Sequence, residues 1–161
     1  MGSIPLINMV GIIHLCFVAA FIGLYLCEAV IEGYGARRTE FQPSAIRFHY
    51  LVDIFVELPL MSGVLITGII LAILAEKLTA LHLILIACGS IAVLFCPYCF
   101  FRFVRTRERL LSDGEGDEGT LAQIQRRMGI LTLAVFNPLF LTALVIGFWL
   151  ARNRLVDSIY G

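Results

Sequence analysis

Six ionisable side chains interrupt the apolar stretches of this chain: His14, Glu28, His49, Asp53, Glu57 and His82. Ionisable groups are costly at membrane depth, so each is a functional candidate by default. His49, Asp53 and Glu57 recur at i, i+4 and i+8, which puts an imidazole and two carboxylates on one helix face. Glu28 falls at a depth comparable with His49 or Asp53. Three chemistries suit this ridge. Imidazole with carboxylates binds several transition metals. Glu28, Asp53 and Glu57 also form a possible proton path. In the plainer reading, Arg47, Arg102 or Arg105 pairs with the acids and fixes helix register.

His14 and His82 form a second set. Counted at 1.5 Å per residue, both fall in the half of the bilayer that holds the N-terminus, and His49 lies about 20 Å away toward the other surface. One histidine pair is therefore geometrically open, and two bis-histidine haems are excluded. His14 and His82 are the expected axial ligands of one b-type haem, because neutral imidazole is a good iron ligand. In the plainer reading, His14 hydrogen-bonds within the bundle and His82 sits at the interface.

Cys96-Pro97-Tyr98-Cys99 has the form of a redox motif. Its place near the C-terminal end of a helix disfavours a thiolate, and no βαβ pattern surrounds it. Cys27 lies at similar depth, so Cys27, Cys96 and Cys99 offer a soft-metal alternative for copper(I). The plainer reading makes them small buried hydrophobes. Five cysteines, all within apolar spans, do not form a disulfide framework.

The elements that carry these groups are four apolar spans, at about 4–31, 48–75, 78–104 and 128–151. Each reaches the ~20 residues a helix needs to cross the hydrocarbon core. The composition agrees: 60% hydrophobic residues and 15% charged ones, against about 25% charged in a soluble domain. The expected fold is an all-α, four-helix transmembrane bundle forming a single domain over 1–161, with its first span retained. Residues 33–44 read as a loop and 76–79 as a tight turn. Residues 102–111 read as a basic helical extension and 112–119 as a solvated turn, with Thr120 as the N-cap of the last helix. Ala19 with Gly23, then Ser62, Gly63 and Gly68, then Gly89 and Ser90 are small patches for close helix approach. Pro59, Pro97 and Pro138 sit inside spans and are expected to bend them.

Arg37, Arg38, Arg47, Arg102, Arg105, Arg107, Arg109, Arg126 and Arg127 gather on one side, against Lys77, Arg152 and Arg154 on the other. The positive-inside rule makes the arginine-rich side cytoplasmic and puts both termini on the non-cytoplasmic side. A bacterial inner membrane is the expected location.

The run His14-Leu15-Cys16-Phe17-Val18-Ala19-Ala20-Phe21-Ile22-Gly23-Leu24 resembles the first helix of small membrane proteins of the CopD-like and HemJ-like groups. Val64-Leu65-Ile66-Thr67-Gly68-Ile69-Ile70-Leu71 is similar to their second helix, and Leu81-His82-Leu83 to the start of their third. Phe21 stands where those groups usually carry Trp, and Leu24 replaces a usual Gly. The resemblance implies a four-helix bundle with haem b or copper on the outer side, held first by His14 and then by His82.

These readings give a b-type haem protein that transfers electrons, alone or as the membrane subunit of a redox complex. The first alternative is a copper or divalent-ion transport protein using His14 and the His49/Asp53/Glu57 ridge. The second is a structural subunit without a cofactor. An oxidoreductase component is the enzyme class left open. No nucleophile–base constellation or phosphate loop points to a hydrolase or kinase. The expected partners are the lipid bilayer and other membrane subunits or further copies of this chain. A formal net charge of zero argues against nucleic acid.

Overall fold

The computed structural model describes residues 6–75 and 78–160. Four long helices make up the architecture: α1 (Leu6–Gly35), α2 (Gln42–Leu74), α3 (Ala80–Ser112) and α4 (Glu118–Asn153). The helical backbone of the last continues to Tyr160. Even α1, the shortest at 30 residues, extends about 45 Å at 1.5 Å per residue, beyond a hydrocarbon core of about 30 Å. The protein is an all-α bundle of four membrane-spanning helices. Between 6% and 17% of the most apolar stretch of each helix is buried inside the bundle. The remaining apolar surface faces outward, as a lipid-embedded bundle requires.

The helices overrun the expected spans mainly at the arginine-rich end. α2 begins at Gln42 and α4 at Glu118, well before the apolar stretches, and α3 runs on to Ser112. The connection after α1 is correspondingly short, a turn of 3₁₀ helix at Thr39–Phe41. Gly35 closes α1 where α2 crosses it, and a Cβ there would lie 2.7 Å from the Cβ of Ala45. Gly35→Ala is expected to cost about 1–3 kcal/mol through this clash, read as a lowered unfolding midpoint in detergent. The N-cap of α4 is Asp117, not Thr120: the Asp117 carboxylate accepts the backbone N–H of Thr120 at 2.6 Å. That bond holds the Asp117 carboxyl below its usual range. The correction is one of spacing, since the capping side chain serves an amide two or three residues ahead.

Consecutive helices pack as two hairpins, α1 on α2 and α3 on α4, joined by the α2–α3 contact. Of the small residues expected at contacts, Gly63 and Gly68 serve the first hairpin. Gly63 lies under the Phe17 ring and Gly68 beside His14. Ala19 and Gly23 are exposed instead. Spacing alone does not tell which helix face turns inward.

Two of the three intramembrane prolines do more than bend. α2, α3 and α4 each contain one π turn, at Asp53–Glu57, Phe100–Val104 and Thr132–Phe136. In α2 the N–H of Leu58 reaches back five residues to the carbonyl of Asp53, and in α4 that of Asn137 reaches Thr132. A proline follows in each case, Pro59 and Pro138. A proline lacks the N–H of the regular ladder and crowds the carbonyl four residues back. Widening the turn before it relieves that crowding. The two segments also match in sequence. Val56, Pro59, Leu60, Gly68, Leu71 and Ala72 have identical counterparts in Val135, Pro138, Leu139, Gly147, Leu150 and Ala151, each the same number of residues further on. α2 and α4 thus hold equivalent places in the two hairpins.

Candidate functional site

The π turns surround a cavity of about 230 Å³ toward the arginine-rich end of the bundle. Residues of all three π turns line it, along with Glu28, Glu32, His49, Asp53, Glu57, Cys96 and Cys99. On the side away from the arginines an aromatic plug closes the bundle. Phe21 packs edge-on against Phe136 and Phe140, and those two rings stack at 5.3 Å. Tyr25 donates to Asn137 Oδ1 at 2.8 Å beside the plug.

Glu28 of α1 meets His49, Asp53 and Glu57 of α2 at this cavity. One potential ligand atom from each lies within 4.8 Å of all the others. Four residues of the sequence-derived ridge and proton path are therefore one cluster, drawn from two helices. The π turn is bounded by Asp53 and Glu57 themselves, and such turns recur at functional sites.

Four carboxylates line this space, those of Glu28, Glu32, Asp53 and Glu57. One guanidinium, Arg107, reaches them, through Glu32. With His49 neutral, three negative charges are left uncompensated. Glu28 is 6% exposed and Asp53 4%; among the described residues Glu28 Oε1 has no hydrogen-bond partner, and Asp53 Oδ1 has only its 3.3 Å contact with His49 Nε2. Buried polar atoms are ordinarily paired, and a buried unpaired charge is strongly unfavourable. Cations or protons must balance this cavity.

Glu32 ties the helices together. Its carboxylate accepts from Arg107 Nη1 at 2.9 Å and Nη2 at 3.2 Å, from Gln125 Nε2 at 2.7 Å, and from His49 Nδ1 at 2.6 Å. Side chains of α2, α3 and α4 thereby converge on one group of α1. The arginine that pairs with an acid of the cavity is Arg107, 1% exposed. Arg47, Arg102 and Arg105, the partners expected from sequence, are exposed. The π turn of α3 accounts for part of this, because each inserted residue rotates the helix beyond it relative to a regular count. Glu32 and Arg107 went unread as a pair because both lie past the apolar spans. The visible signal was Glu28 and Glu32 at i, i+4 on α1.

The same bond sets the histidine. Glu32 accepts, so His49 Nδ1 carries a hydrogen. Nε2 faces the cluster, 3.3 Å from Asp53 Oδ1. A carboxylate holding the remote nitrogen of a histidine is the usual outer support of a metal-binding imidazole.

His14 and His82 occupy other surroundings. His14 Nδ1 lies 2.8 Å from Thr67 Oγ1, whose own hydrogen goes to the Gly63 carbonyl at 2.6 Å. His14 Nδ1 is therefore the donor, and its Nε2 keeps a lone pair. His82 caps α3: its Nδ1 accepts the Thr79 backbone N–H at 3.3 Å. Its ring hydrogen then belongs on Nε2, and ligation through that nitrogen would require giving up the cap. Neither histidine lines the cavity.

Cys96 and Cys99 face the cavity, whereas Cys27 is exposed on the outer surface of α1. The expected trio is reduced to a pair. Lys77 and the side chain of Arg154, used in the charge count, lie outside the described residues.

No family model, curated protein or solved structure matches this chain. The case for function therefore rests on the cavity's chemistry.

Proposed function

We propose that this chain is a multi-pass protein of a bacterial cytoplasmic membrane that binds a divalent cation in the Glu28/His49/Asp53/Glu57 cavity and passes it across the bilayer. One observation carries the reading. Buried carboxylates, one of them with an oxygen unpartnered among the described residues (Glu28 Oε1), converge with the His49 imidazole so that one potential ligand atom of each lies within 4.8 Å of the others. Imidazole and carboxylate together suit first-row divalent ions. Placement within a bundle, between helices broken from regular geometry, suits an ion pathway. The aromatic plug divides this station from the His14/Thr67 side of the bundle. The arginine-rich end, with the cavity near it, faces the cytoplasm in this reading, and both termini face out.

Reconstitution tests the reading. Proteoliposomes holding the protein should take up Zn²⁺ down a gradient, and Asp53→Asn should reduce uptake at least tenfold. Equal uptake by the two proteins contradicts it. The orientation predicts that a reporter fused after Gly161 is non-cytoplasmic and one inserted within 112–119 is cytoplasmic. The reverse labelling overturns it.

The second reading is the b-type haem protein. The lone pair on His14 Nε2 favours it, with His82 the other ligand after release of its cap. Haem would supply one-electron chemistry there. A Soret band in the purified protein, lost in His14→Ala and kept in His49→Ala, would establish this reading. A colourless protein removes it.

A further inference from the structure

The cysteine pair bears on which ion the cavity accepts. Cys96 and Cys99 are spaced i, i+3 and so share one face of α3. Both line the cavity that holds Glu28, His49, Asp53 and Glu57. Cys96 is 7% exposed, and its thiol makes one long hydrogen bond, 3.7 Å to the Ala92 carbonyl. Such a contact is weak enough to be exchanged for a metal bond. The π turn of α3 starts at Phe100, directly after Cys99. The thiols therefore sit at the point where α3 departs from regular geometry. The same cavity is lined by Glu28, whose Oε1 has no partner among the described residues, and by the buried Asp53. Hard ions take oxygen ligands, six around Mg²⁺ with several from water and six to eight around Ca²⁺, and gain nothing from thiols. A four-ligand set drawn from the two thiols, the imidazole and a carboxylate instead matches the mixed N, O and S coordination of zinc.

We propose that the cavity selects a thiophilic divalent cation of the zinc class, with Cys96 and Cys99 supplying thiolate ligands beside the carboxylate–histidine cluster. This rests on the cation reading above and specifies its cargo. Each thiol that coordinates exchanges its proton for the metal bond, and that proton leaves with solvent. Cys27, exposed on α1, takes no part.

Cobalt(II) is the probe, because thiolate ligation gives it an intense near-ultraviolet charge-transfer absorption that oxygen and nitrogen ligands do not. The full-length protein in detergent is titrated with Co²⁺, with bound metal counted separately by dialysis. The wild type should bind one Co²⁺ and show the band. Cys96→Ser and Cys99→Ser should each weaken the band, the double variant should lose it, and Cys27→Ser should keep it. The double variant should bind Zn²⁺ at least tenfold more weakly and Mn²⁺ unchanged, which also certifies its fold. Co²⁺ bound in equal amount without the band overturns the thiol proposal and leaves the cation reading standing. A band that survives in the double variant overturns it likewise. No metal bound by the wild type overturns both.

Discussion

Arg107→Met is expected to destabilise the folded protein by about 3–5 kcal/mol, the usual cost of removing one partner from a buried ion pair. Arg107 gives Glu32 two hydrogen bonds and is almost wholly enclosed. Without it, the Glu32 carboxylate stays buried with only His49 and Gln125 as donors. Lysine would not restore the site, because a single ammonium cannot make the two-point contact. Adding Glu32→Gln to Arg107→Met should recover much of the loss, since the stranded charge is then gone. Arg102→Met, at an exposed position, should stay within about 0.5 kcal/mol of the wild type. Denaturant unfolding in detergent measures all four. A small loss in Arg107→Met would mean that Glu32 does not depend on it.

Asp53→Asn is expected to move stability and metal binding in opposite directions. It removes an ionisable carboxyl from a crowd of four in a site where Asp53 is 4% exposed, and with it the cost of either burying a charge there or holding a proton on it. The metal-free protein should therefore unfold at a higher midpoint than the wild type. The same change takes a charged ligand from the cluster. Loss of an outer supporting residue alone typically costs about 10–100-fold in metal affinity, and loss of a ligand should cost at least the upper end of that range. Glu32→Gln, acting through the orientation of His49, should fall within the range. A stabilised protein with weakened binding is the mark of a functional cavity. If Asp53→Asn lowered stability and left binding unchanged, the acids would be structural.

The fold was legible because it is written in coarse features. Apolar stretches of this length leave a membrane-spanning helix as the simplest solution. The ridge was legible for a similar reason, since i, i+4 and i+8 fix a helix face without any tertiary information. Glu28 joined it by depth alone. What escaped was what depends on packing between helices. Arg107 was one arginine among nine on its side, and only the course of α3 distinguishes it from Arg102 and Arg105. Gln125 carries no signal of its own before α4 is placed against α1. The π turns sit where Pro59 and Pro138 predict some irregularity, but a proline tells of a break and not of its form. His82 shows the converse. Its depth fitted a ligand, and its actual bond, to Thr79, is a purely local cap.

In the proposed function, the inner cavity holds a cation on Glu28, His49, Asp53 and Glu57. Equilibrium dialysis of the purified full-length protein against Zn²⁺, followed by elemental analysis, tests it most directly. One ion is expected per wild-type chain and none on the Glu28→Gln/Asp53→Asn double variant at the same free concentration. A wild-type protein that emerges without zinc, or a double variant that retains a full equivalent, would contradict it.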